Sequence, residues 1–176
     1  MNSNIDLVIF GARGDLSERK LFPALYQLDR AGLLGDSARI AGLAREDISS
    51  QEFIAKIQEG LQKVVPASDW DDAAWRRFSR RMSYIKVDFS HKKDFLALKE
   101  WLVEKRTAIY YLATPPSLYG SICKHLDAAG CVDKLARIVL EKPIGKDLKS
   151  SREVNTTVGE HFDERNIYRI DHYLGK

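Results

Sequence analysis

Short apolar runs and longer amphipathic stretches alternate along the chain. Ile5–Phe10 (IDLVIF) is apolar at nearly every position and runs into Gly11, the pattern of a strand buried on both faces. Residues 15–32 then place Leu16, Leu21, Leu25 and Leu28 at helical spacing, with Gly32 positioned to stop the helix. A second strand is expected at Arg39–Ala44 (RIAGLA), followed by a helix over Ser50–Val64 that Val65-Pro66 ends. Residues 69–81 read as another helix, capped by Ser68 or Asp69 and carrying Trp70, Trp75 and Phe78. Beyond it the pattern predicts a strand at 84–89 (YIKVDF), a helix at 92–105 and an apolar strand at 108–113 (AIYYLA) stopped by Pro115-Pro116. A helix at 117–129, a buried strand at 136–140 (ARIVL), a helix at 147–162 and a last strand at 166–170 complete the series. No internal repeat, low-complexity tract or Gly/Ser linker interrupts it. Strands alternating with helices at this pitch imply one doubly wound α/β domain, a parallel sheet with helices on both faces.

Composition narrows the partners more than the fold. The 176 residues carry 28 Lys and Arg against 25 Asp and Glu, a net charge of +3 that is too small to suggest a nucleic-acid binder. Cys123 and Cys131 cannot form a disulfide framework and their spacing fits no common zinc motif, so no metal is expected and the cytoplasm is the expected compartment. No run is long and apolar enough for a membrane span, and the polar start does not read as a signal peptide. Charged helix positions such as Glu100, Glu104 and Lys105 read as solvated faces, the tryptophans as packing residues, and His91, His125 and His161 as structural or solvated.

The candidate chemistry begins where the first strand meets the first helix. LVIF-GARGDL puts Gly11 and Gly14 in that turn, where glycine permits unusual φ angles and close approach of backbone to ligand. A helix start presents unpaired N–H groups to a phosphate. The spacing is G-x-x-G rather than the full dinucleotide fingerprint G-x-G-x-x-G, so a turn without ligand stays open on these residues alone. The second strand ends at Arg45-Glu46-Asp47: an acid here suits a ribose 2′-hydroxyl and an arginine a 2′-phosphate. Arg45 comes first and tilts the reading to NADP over NAD.

Two later motifs sharpen the picture. Glu141-Lys142-Pro143 follows a buried strand directly, which sets Lys142 at the carboxyl end of the sheet where ligands bind in this architecture. RIDHYLGK, residues 169–176, gathers Arg, Asp, His, Tyr and Lys in a density suited to a phosphorylated substrate. Taken with FGARGDLSERKLFPALYQL, GLARED, KVDF, ATPPSLYG and EKPIG, in that order and spacing, these segments make the chain resemble the glucose-6-phosphate dehydrogenase family from residue 7 to its end.

The resemblance implies a Rossmann-like NADP-binding domain over residues 1–170 and, at 171–176, the start of a substrate-site segment whose substrate and dimerisation domain is absent from this chain. By the same resemblance Gly11, Ala12, Arg13 and Gly14, with Asp15, Leu16, Ser17 and Glu18 at the helix start, hold the dinucleotide. Arg45 contacts the 2′-phosphate, Asp88 and Phe89 line the adenosine side, and Ala113, Pro115 and Pro116, in the stretch 113–116, line the path to the nicotinamide. Lys142 touches both cofactor and sugar phosphate. His172, Tyr173 and Lys176 grip the phosphate of glucose 6-phosphate, and Asp171 belongs to the catalytic centre beside them, as does Lys142.

The implied activity is oxidation of D-glucose 6-phosphate to 6-phosphogluconolactone with hydride transfer to NADP, in the oxidative pentose phosphate pathway. A homodimer or tetramer is expected through the absent domain, which also carries the family's catalytic histidine, so the isolated chain is expected to be inactive. Arg13 departs from the small residue or lysine of many members, and Ser17-Glu18 from an alanine-basic pair. Two other readings remain at this stage: a non-catalytic dinucleotide-binding module, and another EKP-containing sugar dehydrogenase.

Overall fold

The computed structural model describes residues 4–141 and 148–171. Its strands are β1 (Ile5–Phe10), β2 (Arg39–Ala44), β3 (Met82–Lys86), β4 (Thr107–Leu112), β5 (Arg137–Glu141) and β6 (Ile167–Ile170). They form one parallel sheet in the order β3-β2-β1-β4-β5-β6. The described helices are α1 (Phe22–Arg30), α2 (Ser50–Val64), α3 (Asp72–Ser79), α4 (Phe95–Trp101), α5 (Tyr119–Ala128) and α6 (Leu148–Gly159). The strand order reverses between β1 and β4, which opens a crevice at the carboxyl ends of those strands. The doubly wound architecture expected from the alternating pattern is the one the chain adopts.

Two-sided burial explains why the strands read as continuous apolar runs. Along β1, Val8 and Phe10 enter a core shared with Phe95, Tyr110, Ile122 and Leu140, whereas Ile9 points the other way, to Phe22, Tyr26, Phe53 and Phe78. Gly42 in β2 is required by that second core. A Cβ there would lie 2.4 Å from Phe53 Cζ and 2.9 Å from the Ala12 methyl, so the missing side chain lets α2 pack against the sheet.

Several boundaries move from their expected positions for tertiary reasons. The first helix does start near residue 15, but Ser17–Leu21 form a wide π-helical turn in which the Phe22 N–H reaches the Ser17 carbonyl. Pro23 follows, with no N–H to give and a ring that would crowd the carbonyl of Arg19 in a regular α-turn. Past this wider turn Phe22 and Tyr26 form the buried face, and Leu28, expected inward, is exposed. Gly32 stops the helix as expected: it sits at φ +71°, its N–H bonds the Asp29 carbonyl, and the Leu33 N–H bonds that of Leu28.

The α3 cap is Asp71 rather than Ser68 or Asp69. Its carboxylate accepts from the N–H groups of Ala73 and Ala74, and the Tyr26 hydroxyl meets its backbone N–H at 3.0 Å. β3 begins at Met82, paired with Ile40, and stops at Lys86, two residues before an Asx turn in which the Asp88 carboxylate accepts from Ser90. The expected helix over 92–105 shrinks to α4 because the Trp101 carbonyl accepts from Arg39 at 2.9 Å, Leu102 is extended and Lys105 turns to φ +64°.

The opposite edge of the sheet is tied by buried carboxylates. Asp6, 1% exposed, accepts from Arg39 at 2.6 and 2.9 Å and from Arg106 at 2.6 Å, while Asp29, 2% exposed, pairs with Arg77 and Arg81. Burial pushes the Asp6 carboxyl upward, and the hydrogen bonds from both arginines outweigh it, so the pKa ends below the ordinary carboxylate value. The tryptophans pack as expected, Trp70 and Trp75 around Tyr26 and Phe78, and Trp101 beneath Arg39.

Candidate functional site

A groove of about 530 Å³ opens where the strand order reverses, at the carboxyl ends of β1 to β4. Its walls come from the loop after β1 (Gly11, Arg13, Gly14), the end of β2 (Ala44, Arg45, Glu46), the loop after β3 (Val87 to Ser90) and the segment after β4 (Ala113 to Pro115, and Leu118).

The β1 loop is held against its neighbours by backbone bonds. The N–H groups of Gly11 and Ala12 both donate to the Leu43 carbonyl, at 3.0 and 3.1 Å, and the Gly14 N–H donates to the Gly11 carbonyl at 2.9 Å. The Ser17 hydroxyl, buried, donates to the same Gly11 oxygen. Gly11 has φ +78°, and a Cβ on it would stand 2.5 Å from the Ala113 carbonyl oxygen. Only glycine lets the loop lie this close to the end of β4. The N–H groups of Asp15, Leu16 and Ser17 lie in the first turn of a helix, ahead of the Glu18 N–H that bonds the Gly14 carbonyl, where no helical carbonyl precedes them and a ligand or solvent is left to take them.

Charge in the groove is arranged around two arginines. Arg45 is exposed at the end of β2, and among the described residues it forms no ion pair. Arg13 is only 18% exposed and is held between two carboxylates, with Nε 3.1 Å from Glu46 and a terminal nitrogen on Glu18. Glu46 belongs to a fixed turn, since the Tyr84 hydroxyl donates to the carbonyls of Ala44 at 3.0 Å and Glu46 at 2.7 Å. Asp88 lies below the usual carboxylate pKa because Ser90 donates to it through both its hydroxyl and its N–H. The Thr114 hydroxyl oxygen is buried in this wall with no hydrogen-bond partner among the described residues.

Of the residues singled out in the sequence, Gly11, Arg13, Gly14, Arg45, Asp88, Phe89, Ala113 and Pro115 line the groove. Ala12, Asp15, Leu16, Ser17, Glu18 and Pro116 do not line it. Ala12 is buried toward Gly42, Asp15 pairs with Arg19 on the surface, Ser17 braces Gly11 and Glu18 holds Arg13. Asp88 and Phe89 lie just past β3 rather than within it. Val87, Ser90, Thr114 and Leu118 also face the groove. The D-x-S spacing of Asp88 and Ser90 was the one signal pointing to Ser90, and Thr114 sits in the 113–116 stretch.

The other sheet half is described only in part. Lys142, His172, Tyr173 and Lys176 lie outside the described residues. Glu141 closes β5, and its side chain accepts from the Tyr111 hydroxyl; burial and that carboxylate push the tyrosine pKa up. Asp171 follows β6, half-buried, on the same carboxyl edge of the sheet. Arg169, from the basic RIDHYLGK segment, is already engaged by Glu164 at 2.7 Å and Asn155 at 3.0 Å. Among the described residues no His, Cys, Asp and Glu cluster suits a metal ion, and no helix is long and apolar enough to cross a membrane.

A glycine loop pressed onto the neighbouring strand, first-turn N–H groups, an exposed arginine outside any ion pair and an orphaned buried hydroxyl fit a dinucleotide lying across the groove. Comparison with known proteins agrees with the geometry. Residues 8–176 match the family model described as glucose-6-phosphate dehydrogenase, NAD binding domain. The chain is 44% identical to a glucose-6-phosphate 1-dehydrogenase of Dickeya dadantii over 172 residues, which is 97% of this chain and 35% of that protein. It superposes on the crystal structure of glucose-6-phosphate 1-dehydrogenase from Mycobacterium avium with a TM-score of 0.91 and 35% identity, covering 99% of this chain and 37% of that one. A glucose-6-phosphate dehydrogenase in complex with its substrate glucose-6-phosphate gives a TM-score of 0.88 at 34% identity, over 99% of this chain and 38% of that one. The chain thus spans a little over a third of the length of these relatives.

Proposed function

The chain belongs to the glucose-6-phosphate dehydrogenase family, in its NAD-binding domain, and from that premise we propose that it forms the NADP-binding part of a glucose-6-phosphate 1-dehydrogenase. The observation that carries this reading is the groove at the β1/β4 reversal, with Gly11 closed against Ala113 and Arg45 exposed at its rim, near enough to Asp88 to act on its charge. In it the β1 loop and the start of the following helix hold the pyrophosphate through backbone N–H groups. Arg45 takes the 2′-phosphate, its planar fork matching phosphate oxygens. Asp88 and Phe89 border the adenosine, and Ala113 and Pro115 lead toward the nicotinamide.

NADP, when bound, supplies the hydride acceptor. We assign residues 1–170 to this domain and 171–176 to the beginning of the sugar-phosphate site. Lys142, His172, Tyr173 and Lys176 are assigned to the phosphate of glucose 6-phosphate by family likeness, and Asp171, on the same sheet edge as the groove, to the catalytic centre with Lys142. The reaction is oxidation of glucose 6-phosphate to 6-phosphogluconolactone in the pentose phosphate pathway. A homodimer or tetramer would form through a domain outside these residues. Two free, buried cysteines suit a reducing cytoplasm.

The test is to mix the 176-residue chain with NADP and glucose 6-phosphate, following cofactor binding by calorimetry and reduced NADP by absorbance. Binding without turnover is the expected result. Absence of NADP binding would overturn the cofactor assignment, and sustained turnover would overturn the view that the catalytic base lies outside this chain.

A further inference from the structure

Arg13 stands at the mouth of the groove as a cation already in use. Its guanidinium bridges Glu46, from the β2 turn, and Glu18, from the start of the first helix. The backbone around all three is held in place. Arg13 sits between Ala12 and Gly14, whose N–H groups are bonded to Leu43 and Gly11; the Glu18 N–H bonds the Gly14 carbonyl at 3.1 Å; and Tyr84 fixes the Glu46 backbone. Arg13 is sheltered and the carboxylates are 37% and 45% exposed; Arg13 and Glu46 line the groove, and Glu18 reaches Arg13 from outside it.

The chemistry of this corner is mixed. A carboxylate following the second strand is an acceptor for a ribose 2′-hydroxyl, and an arginine is a partner for a 2′-phosphate. Here Glu46 and Arg45 are adjacent, and the second nearby cation, Arg13, is diverted onto Glu46 and Glu18. Resting on the reading of the groove as the NADP site, we propose that Glu46 and Glu18 are specificity-determining residues. They act as internal counter-anions that compete with the cofactor's 2′-phosphate for Arg13. NADP must draw Arg13 from its carboxylates, whereas NAD, with only a hydroxyl at that position, leaves the ion pairs intact and finds an acceptor in Glu46. The two carboxylates therefore narrow the preference for NADP that Arg45 establishes.

The experiment measures dissociation constants for NADP and for NAD on the chain, on Glu46→Gln, on Glu18→Gln, and on each combined with Arg13→Ala, with a thermal melt confirming that each variant is folded. The charge-assisted bond to a carboxylate that Arg13 must give up to reach the phosphate has a strength that corresponds to about tenfold in affinity. Each glutamine variant is accordingly expected to bind NADP about tenfold more tightly, with NAD unchanged or weaker, and the gain is expected to vanish when Arg13 is alanine. An unchanged NADP-to-NAD ratio in both glutamine variants would overturn the proposal. A gain that persists without Arg13 would also overturn it, because the carboxylates would then act by direct repulsion and not by holding the arginine. If the unaltered chain binds neither dinucleotide, the reading of the groove itself fails; binding of NADP with an insensitive ratio removes only the counter-anion role.

Discussion

Alanine at Gly11 and alanine at Gly32 separate two costs that the loop after β1 combines. Both glycines have positive φ, +78° and +71°, but a Cβ on Gly32 would meet nothing within 4 Å. Gly32→Ala therefore carries only the left-handed backbone penalty, about 1–2 kcal/mol. On Gly11 the added methyl would meet the Ala113 carbonyl oxygen at 2.5 Å, its carbon at 3.1 Å and Thr114 Cγ2 at 3.1 Å. Two of those atoms are backbone following a central strand and cannot rotate away, so overpacking adds about 1–3 kcal/mol. With a urea slope near ~2 kcal/mol/M, the denaturation midpoint should fall by about 0.5–1 M for Gly32→Ala and about 1–2.5 M for Gly11→Ala. Far-UV circular dichroism against urea reads both. Equal shifts, or a larger one at Gly32, would refute the close packing of the loop on β4.

Other outcomes follow from the same geometry. Asp6→Asn leaves Arg39 and Arg106 without their buried anion and should cost about 3 kcal/mol, the lower end for a broken buried pair because Arg39 is partly exposed. Because the folded Asp6 pKa is depressed, its contribution is complete above the unfolded carboxyl value of about 4 and is lost as pH falls through the lower folded value. An acid-unfolding profile unchanged by Asp6→Asn would contradict this. Tyr84→Phe strips the hydroxyl from the Ala44 and Glu46 carbonyls, and should lower stability by about 1 kcal/mol while weakening NADP binding, checked by melting and titration together. Burial pushes the thiols of Cys123 up to about 12 and Cys131 up to about 11. A thiol reagent at neutral pH should therefore label neither until denaturant is added, and rapid labelling of the folded chain would contradict their burial.

How far the fold could be read in advance depended on what fixed each element. β1 and β2 sit within their expected bounds because burial on both faces writes itself into the residues as unbroken apolar runs, ended by Gly11 and by Arg45. α2 was equally legible: Ser49 and Glu52 form a reciprocal capping box at one end, and Val65-Pro66 closes the other. α3 and α4 were not, because their limits are set across the chain. Tyr26 holds the Asp71 backbone from 45 residues away, and Arg39 takes the Trp101 carbonyl from 62. The groove followed the same division. Gly11, Gly14 and Arg45 announced themselves by residue type and place at strand ends. The sequence had both an arginine and an acid after β2, yet pattern alone could not reveal that Glu46 faces Arg13, 33 residues earlier, since that pairing exists only once β1 and β2 lie side by side.

Under the proposed assignment, Arg45 at the end of β2 reads a 2′-phosphate in the groove beside Gly11, and calorimetric titration of the chain and of Arg45→Ala with NADP and NAD decides it. Loss of a charge-assisted bond of about 1.5–3 kcal/mol corresponds to about 10–150-fold. NADP should bind the unaltered chain more tightly than NAD, and Arg45→Ala should weaken NADP by that factor while leaving NAD nearly unchanged. NAD binding more tightly than NADP, or an Arg45→Ala change that weakens both cofactors equally, would contradict it.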